Sequence, residues 1–199
     1  VFSGQKKIVT QTQPTFRYCI DQADVIIGVD RWWLAFASEN NAVELNQSKV
    51  VGSVLWDFIS GDPTQRLYKE IHQHVRSSSS SVSVPFRCDS PTLQRHMQLT
   101  ISLGEQGQLW YESKLLRTVP QPYVNLLDPK RNRSSEFLTM CSFCKRSLIE
   151  PSGWLELENI SLKLRMYDKQ TVPELRYTVC PPCARQLHNE PHALNHSAE

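Results

Sequence analysis

The sequence predicts an α+β fold: a five-stranded antiparallel sheet with helices on one face, followed by a small cysteine-bearing unit. Three observations carry this. Met97, Leu99, Ile101 and Leu103 alternate with polar residues, as a strand with one packed and one wetter face requires. Leu67, Ile71 and Val75 recur every four residues, a single apolar stripe on a helix. Cys141–Cys144 and Cys180–Cys183 form two Cys-x-x-Cys pairs in the last third of the chain.

Taken in order, Phe16–Ile20 and Val25–Val29 are apolar runs around the polar Asp21-Gln22-Ala23-Asp24, which reads as a hairpin. Asp30 suits an N-cap for a helix through Asn40 that gathers Trp33, Phe36 and Ala37 on one face. Val50-Val51-Gly52 leads into a short apolar turn over Val54–Ile59, closed by Ser60-Gly61-Asp62-Pro63. Pro63 fits the first turn of the striped helix, which carries Tyr68 beside its stripe. The serines at 77 to 81 are expected to break that helix. Strands are predicted over Val82–Cys88, Arg95–Leu103 and Gln108–Thr118, with Gly104-Glu105-Gln106-Gly107 as the turn of a hairpin. Prolines 120, 122 and 129 and the basic run Lys130-Arg131-Asn132-Arg133 make 120–135 an extended linker, its basic cluster a solvated face. The expected organisation is an N-terminal extension (1–14), a sheet-and-helix domain (15–119), the linker (120–135) and a metal-binding domain (136–199).

The order β-β-α-α-α-β-β-β resembles a PAS domain, and Val51–Ile59 resembles that family's G-x-x-x-x-D-x-I/V segment. Trp33–Asn40, Leu55–Ile59 and Phe86-Arg87-Cys88-Asp89-Ser90-Pro91 resemble a group of small bacterial PAS proteins. Met140–Arg146, Gly153-Trp154 and Val179–Cys183 resemble the zinc-ribbon-like tail of that group. The resemblance implies a sensory domain with room for a small ligand between helices and sheet. It also implies a histidine on a helix if the ligand is haem. No Asn-Cys-Arg-Phe-Leu-like segment of a flavin-thiol photoreceptor is present.

Four cysteines in two knuckles supply the soft, converging ligands of a tetrahedral site, so Cys141, Cys144, Cys180 and Cys183 are expected to hold one structural Zn2+. A thioredoxin-like dithiol at Cys180-Pro181-Pro182-Cys183 is the competing reading. His188, His192 and His196 are spare ligands at most. Cys19 and Cys88 stand alone and read as core filling. Arg87, Asp89 and Arg95 surround the turn at Ser90-Pro91, as a structural pin or an anion-recognition site.

In the sheet-and-helix domain Trp56, Phe58, Tyr68, Ile71, Val84, Phe86, Leu99 and Tyr111 are candidate pocket residues that any core would also need. Among them Trp56, Tyr68 and Tyr111, together with His74 as the helix histidine, are the candidate cofactor-binding set. His72 and His74 both flank the apolar stripe.

Charge narrows the function. The formal net charge is +2, with 12 basic and 11 acidic residues up to Pro120 and 10 and 9 after it. Neither half carries the excess of a dedicated nucleic-acid surface. No run reaches the ~20 apolar residues of a membrane span. The start lacks a signal peptide's apolar segment, and paired cysteines fit a reducing cytoplasm. No carboxylate pair, Ser-His-Asp order, phosphate loop or His-Glu-x-x-His appears, so no enzyme is expected. The resulting expectation is a cytoplasmic sensory or protein-interaction module acting through a protein partner or a homodimer. The alternative is a transcription-associated nucleic-acid-binding protein using the zinc tail and the basic run. A third reading, an enzyme acting through Cys88 or Cys180–Cys183, needs an exposed thiolate of low pKa.

Overall fold

The structure is a computed structural model that describes residues 14–40, 42–163 and 171–189. The expected N-terminal extension lies outside them except for Pro14. No helix among the described residues is long and apolar enough to cross a membrane.

Strands β1 (Thr15–Ile20) and β2 (Ile26–Val29) form the predicted hairpin. Its turn is fixed by the Asp21 carboxylate, which accepts the N–H groups of Ala23 and Val25 at 2.9 Å each. Asp30 caps helix α1 (Arg31–Glu39) by accepting the Trp33 N–H at 2.6 Å, and Asn40 ends it. A short helix α2 (Gln47–Val50), capped by Asn46, was not evident from periodicity because four residues are too few to show any. Helix α3 (Asp62–Ser78) starts at Gly61, with Pro63 in its first turn, and buries Leu67, Ile71 and Val75. It runs into the serine tract: the Ser77 and Ser78 hydroxyls donate to the His74 carbonyl, and Ser79 turns the chain at φ 57°.

Strands β3 (Val82–Arg87), β4 (Leu93–Leu103) and β5 (Leu109–Pro120) complete an antiparallel sheet in the order β2-β1-β5-β4-β3. Val82, Val84, Leu99, Ile101, Leu109 and Tyr111 meet the α3 stripe in one core. A fully buried aliphatic side chain there contributes about 1.5–3 kcal/mol.

The second sheet runs β8-β7-β6-β9, built from β6 (Asn132–Cys141), β7 (Ser147–Ile149), β8 (Gly153–Leu155) and β9 (Thr171–Thr178). β6 and β9 are parallel, with Cys141 opposite Thr178. Helix α4 (Leu157–Lys163) lies between β8 and β9, and α5 (Pro181–Asn189) follows β9. A second core joins Leu138, Met140, Leu157, Ile160 and Val172 to Val124 and Leu126.

The last two residues correct one expectation. Residues 120–135 are packed, not an extended linker. Val124 and Leu126 are buried, and Asn125–Leu127 is one 3-10 turn. Gln121 donates to the Ser90 carbonyl at 2.8 Å, and the Val124 N–H to Pro91. Nor is the basic run one solvated face. Arg131 lies 3.7 Å from Asp128, while Arg133 donates to the carbonyls of Leu126, Pro173 and Asp128. Buried carbonyls need donors, and a guanidinium supplies several at once.

The two sheets touch directly. The Arg87 N–H donates to the Phe143 carbonyl at 2.7 Å, and the Thr64 and Ser142 hydroxyls are 2.8 Å apart. Tyr68 on α3 stacks on Phe143 with centroids 5.9 Å apart. The Arg87 side chain holds Asp89 at 2.5 Å, Glu158 at 2.9 Å and Glu156 at 3.3 Å, so the expected pin at Ser90-Pro91 also reaches α4. Gly61 sits where a Cβ would come 2.2 Å from the Tyr177 carbonyl oxygen.

That approach yields a controlled prediction. Gly61 and Gly52 share φ +91°, but a Cβ on Gly52 meets nothing within 4 Å. Gly52→Ala should lose only the backbone strain, about 1 kcal/mol, and Gly61→Ala should lose up to about 3 kcal/mol as β9 is pushed off α3. Urea unfolding of the two variants gives the comparison, and equal losses would show that the contact contributes nothing.

Candidate metal centre and the polar core beside it

The parallel register of β6 and β9 delivers the two knuckles to one place. Cys141 ends β6, and the chain turns back so that the Lys145 N–H reaches the Cys141 carbonyl at 3.1 Å, with Lys145 at φ 63°. The Ser142 N–H ties that turn to Thr178 at 2.8 Å. Cys180 precedes α5, Pro181 occupies the helix's first position where no N–H is needed, and Cys183 lies in the first turn.

All four Sγ atoms lie within 4.8 Å of one another, with Cys144 and Cys180 at 3.6 Å. A tetrahedron with Zn–S bonds of ~2.3 Å has S···S edges of ~3.8 Å, so the donor set matches a four-thiolate ion in size and softness. The Cys180 N–H points to the Cys141 sulfur at 3.4 Å. Cys141 and Cys180 are buried, Cys144 and Cys183 half-buried. These four cysteines could hold a metal ion.

Their electrostatics point the same way. Hydrogen bonds from the Cys144 and Cys183 thiols drive the Cys141 pKa far below the thiol range. The Cys141 sulfur in turn pushes Cys144 up to about 12, and Cys141 and Cys144 together push Cys183 higher still. One thiolate thus suppresses its neighbours, and only a cation among them permits four. The His188 side chain, His192 and His196 lie outside the described residues. Burial raises the thiols of both Cys19 and Cys88, the reverse of an activated nucleophile.

The candidate set in the first core is brought together in part. Trp56 and Tyr111 flank one buried imidazole, and Tyr68 packs on Tyr111, but that imidazole is His72 and not His74. His74 is half-exposed, its Nε2 3.4 Å from the Ser78 hydroxyl. His72 is 1% exposed, 3.0 Å from the Asp24 carboxylate through Nδ1 and hydrogen-bonded to the Tyr111 hydroxyl through Nε2. Arg76 reaches the same Asp24 oxygen at 3.0 Å and the Asp21 carbonyl at 2.8 Å. Tyr18 stacks on Tyr111 with centroids 4.5 Å apart. Sequence reasoning missed Asp24 and Arg76. The available signal was helical position: His72 sits four residues after Tyr68 and three before Val75, on the same side of the helix as both.

Burial lowers the His72 pKa to about 4, the Arg76 charge adds to the lowering, and Asp24 opposes both. Burial also lifts the Tyr111 hydroxyl well above its ordinary range, so it keeps its proton and donates to Nε2. The neutral ring then carries its own proton on Nδ1 and donates to Asp24. The unfolded chain protonates His72 near 6.5 and the folded chain near 4. Its stability contribution is therefore complete above pH 6.5 and lost as pH falls through that window, by roughly 2–3 kcal/mol. Urea unfolding at pH 7.5 and 4.5 should show His72→Gln with a shallower pH dependence than the parent chain. Acid loss of the cysteine site cancels between the two proteins, and identical slopes would remove His72 as the source.

No protein-family model matches this chain, and no curated protein matches it. Among solved structures the chain is similar to a sensory box sensor histidine kinase from Vibrio cholerae. The TM-score is 0.38 at 9% sequence identity, covering 53% of this chain and 83% of that one. That likeness concerns the course of the backbone over about half the chain.

Proposed function

We propose that this chain is a PAS-like sensory or protein-interaction module whose cysteine unit is held together by one structural Zn2+. The observation that carries the reading is the direct seat of that unit on the sheet-and-helix core. Phe143, between two of the ligand cysteines, stacks on Tyr68 of α3 and accepts the Arg87 N–H through its carbonyl. A change in the state of either unit is then felt by the other through packed side chains. Four thiolates complete a zinc shell and leave no position for water, which favours a structural over a hydrolytic metal. The output of such a module is a change in contact with a protein partner or a second copy, and cysteines paired for metal binding favour a reducing compartment such as the cytoplasm.

The nucleic-acid reading has less in its favour. Arg133 is committed to backbone carbonyls and Arg131 to Asp128, so the basic run has little free charge to offer phosphates.

Elemental analysis with native mass spectrometry should find one zinc per chain. Cys141→Ser and Cys180→Ser should lose it together with the fold of 136–189, because three thiolates leave the tetrahedral shell incomplete and metal binding is coupled to folding. A unit that stays folded and metal-free under chelation would overturn the zinc assignment. Partner or self-association that never changes across a screen of metabolites and haem would remove the sensory part.

A further inference from the structure

An open cleft of about 600 Å3 lies between α3, β3, the 124–129 segment and the knuckle at 141–145. That is the size of a small-molecule site, and it lies outside the space between helices and sheet where the sequence placed a pocket. Tyr68, Phe86 and Tyr177 line it with aromatic surface, and Lys145 lines it with an ammonium.

Lys145 occupies a left-handed position, φ 63°, that the knuckle turn imposes and that glycine adopts without strain. The chain carries a lysine there at a cost in backbone strain. Its ammonium donates to the Ser142 carbonyl at 2.9 Å and lies 5.8 Å over the Tyr177 ring. Among the described residues it has no carboxylate within ion-pair distance. Asp89, which also lines the cavity, is held by the Arg87 guanidinium and by the Arg95 N–H. Arg133, on another wall, bonds only neutral carbonyls. The cleft thus has aromatic walls, the Lys145 ammonium and the Arg133 guanidinium.

We infer that this cleft binds a small aromatic carboxylate, its carboxylate on Lys145 and its ring against Tyr68 and Tyr177. The inference deepens the proposed function and rests on it, since the cleft exists only while the cysteine unit is folded onto the first core. A ligand that touches both units favours their docked state and is the input that such a module needs.

The test is calorimetric titration of the zinc-loaded chain with salicylate and indole-3-acetate, with benzamide as the neutral control and phenyl phosphate as the dianionic one. Zinc content is measured on the same sample, so failure of the metal reading shows as missing zinc and failure of the cleft as missing heat. The carboxylates should bind at least tenfold tighter than benzamide. Lys145→Gly keeps the turn and removes the ammonium, so it should retain zinc and lose at least tenfold in carboxylate affinity. Phe58→Ala, at the rim and 37% exposed, should lose about threefold. The inference is overturned by equal binding of benzamide, by tighter binding of phenyl phosphate, or by unchanged affinity in both variants. Zinc loss in Lys145→Gly overturns it too, since the lysine would then serve the thiolates.

Discussion

Four sulfur atoms held within 4.8 Å of one another cannot all ionise unless a cation sits among them, and their positions follow from a single strand pairing. The parallel register that sets Cys141 opposite Thr178 brings the end of β6 beside the start of α5. In that register Phe143 is buried and stacks on Tyr68. Its carbonyl then meets the Arg87 N–H, and Arg87 gathers Asp89, Glu156 and Glu158 around the seam. A metal bound at the sulfurs stabilises more than its own knuckles, because the seam is built from the residues between and behind them.

The first core is organised around a different constraint, a polar group that must be satisfied away from water. His72 is buried, and each ring nitrogen has one partner of the complementary kind: Asp24 for Nδ1 and the Tyr111 hydroxyl for Nε2. Removing either partner would leave a buried imidazole nitrogen unpaired, which costs about 1–3 kcal/mol. Arg76 closes the network by bonding Asp24 and the hairpin carbonyls of Asp21 and Gly107. The network fixes β1, β2, α3 and β5 to one another in a way that apolar contact, being non-directional, does not. Between helices and sheet, Tyr18 stacks on Tyr111 and His72 meets Tyr111 edge-on.

Local patterns were legible in the sequence, and contacts between distant segments were not. The hairpin, the Asp30 cap, the stripe on α3 and the alternation in β4 each rest on residues a few positions apart, and each is present. The cysteine spacing announced a four-sulfur cluster for the same reason: a knuckle is a local motif, and two of them have few ways to be satisfied except by each other. Residues 120–135 misled because three prolines and a basic run describe solvent-facing chain, while the partners that bury Val124 and Leu126 come from β6, α4 and β9. The choice between His72 and His74 also turned on tertiary placement. Two positions on a helix differ by about 200° around its axis, and only the location of Asp24 and Tyr111 says which side is inward.

The packed seam decides how information could travel in this chain. A flexible connector transmits only proximity, whereas an interface with discrete hydrogen bonds and a close backbone approach is either seated or not. The Gly61–Tyr177 contact illustrates how close the approach is, since there is no room for a Cβ between them. A two-state seam responds to any ligand in proportion to its difference in affinity for the two states. At a hundred times its dissociation constant, a ligand bound only by the seated form adds about 2.7 kcal/mol to it. That exceeds what a single surface ion pair such as Arg146–Glu156 contributes, at most about 1 kcal/mol. A ligand bound across the seam would therefore outweigh an exposed ion pair of that kind, and it would act beside the aromatic stack and the buried Arg87 cluster that already join the two units.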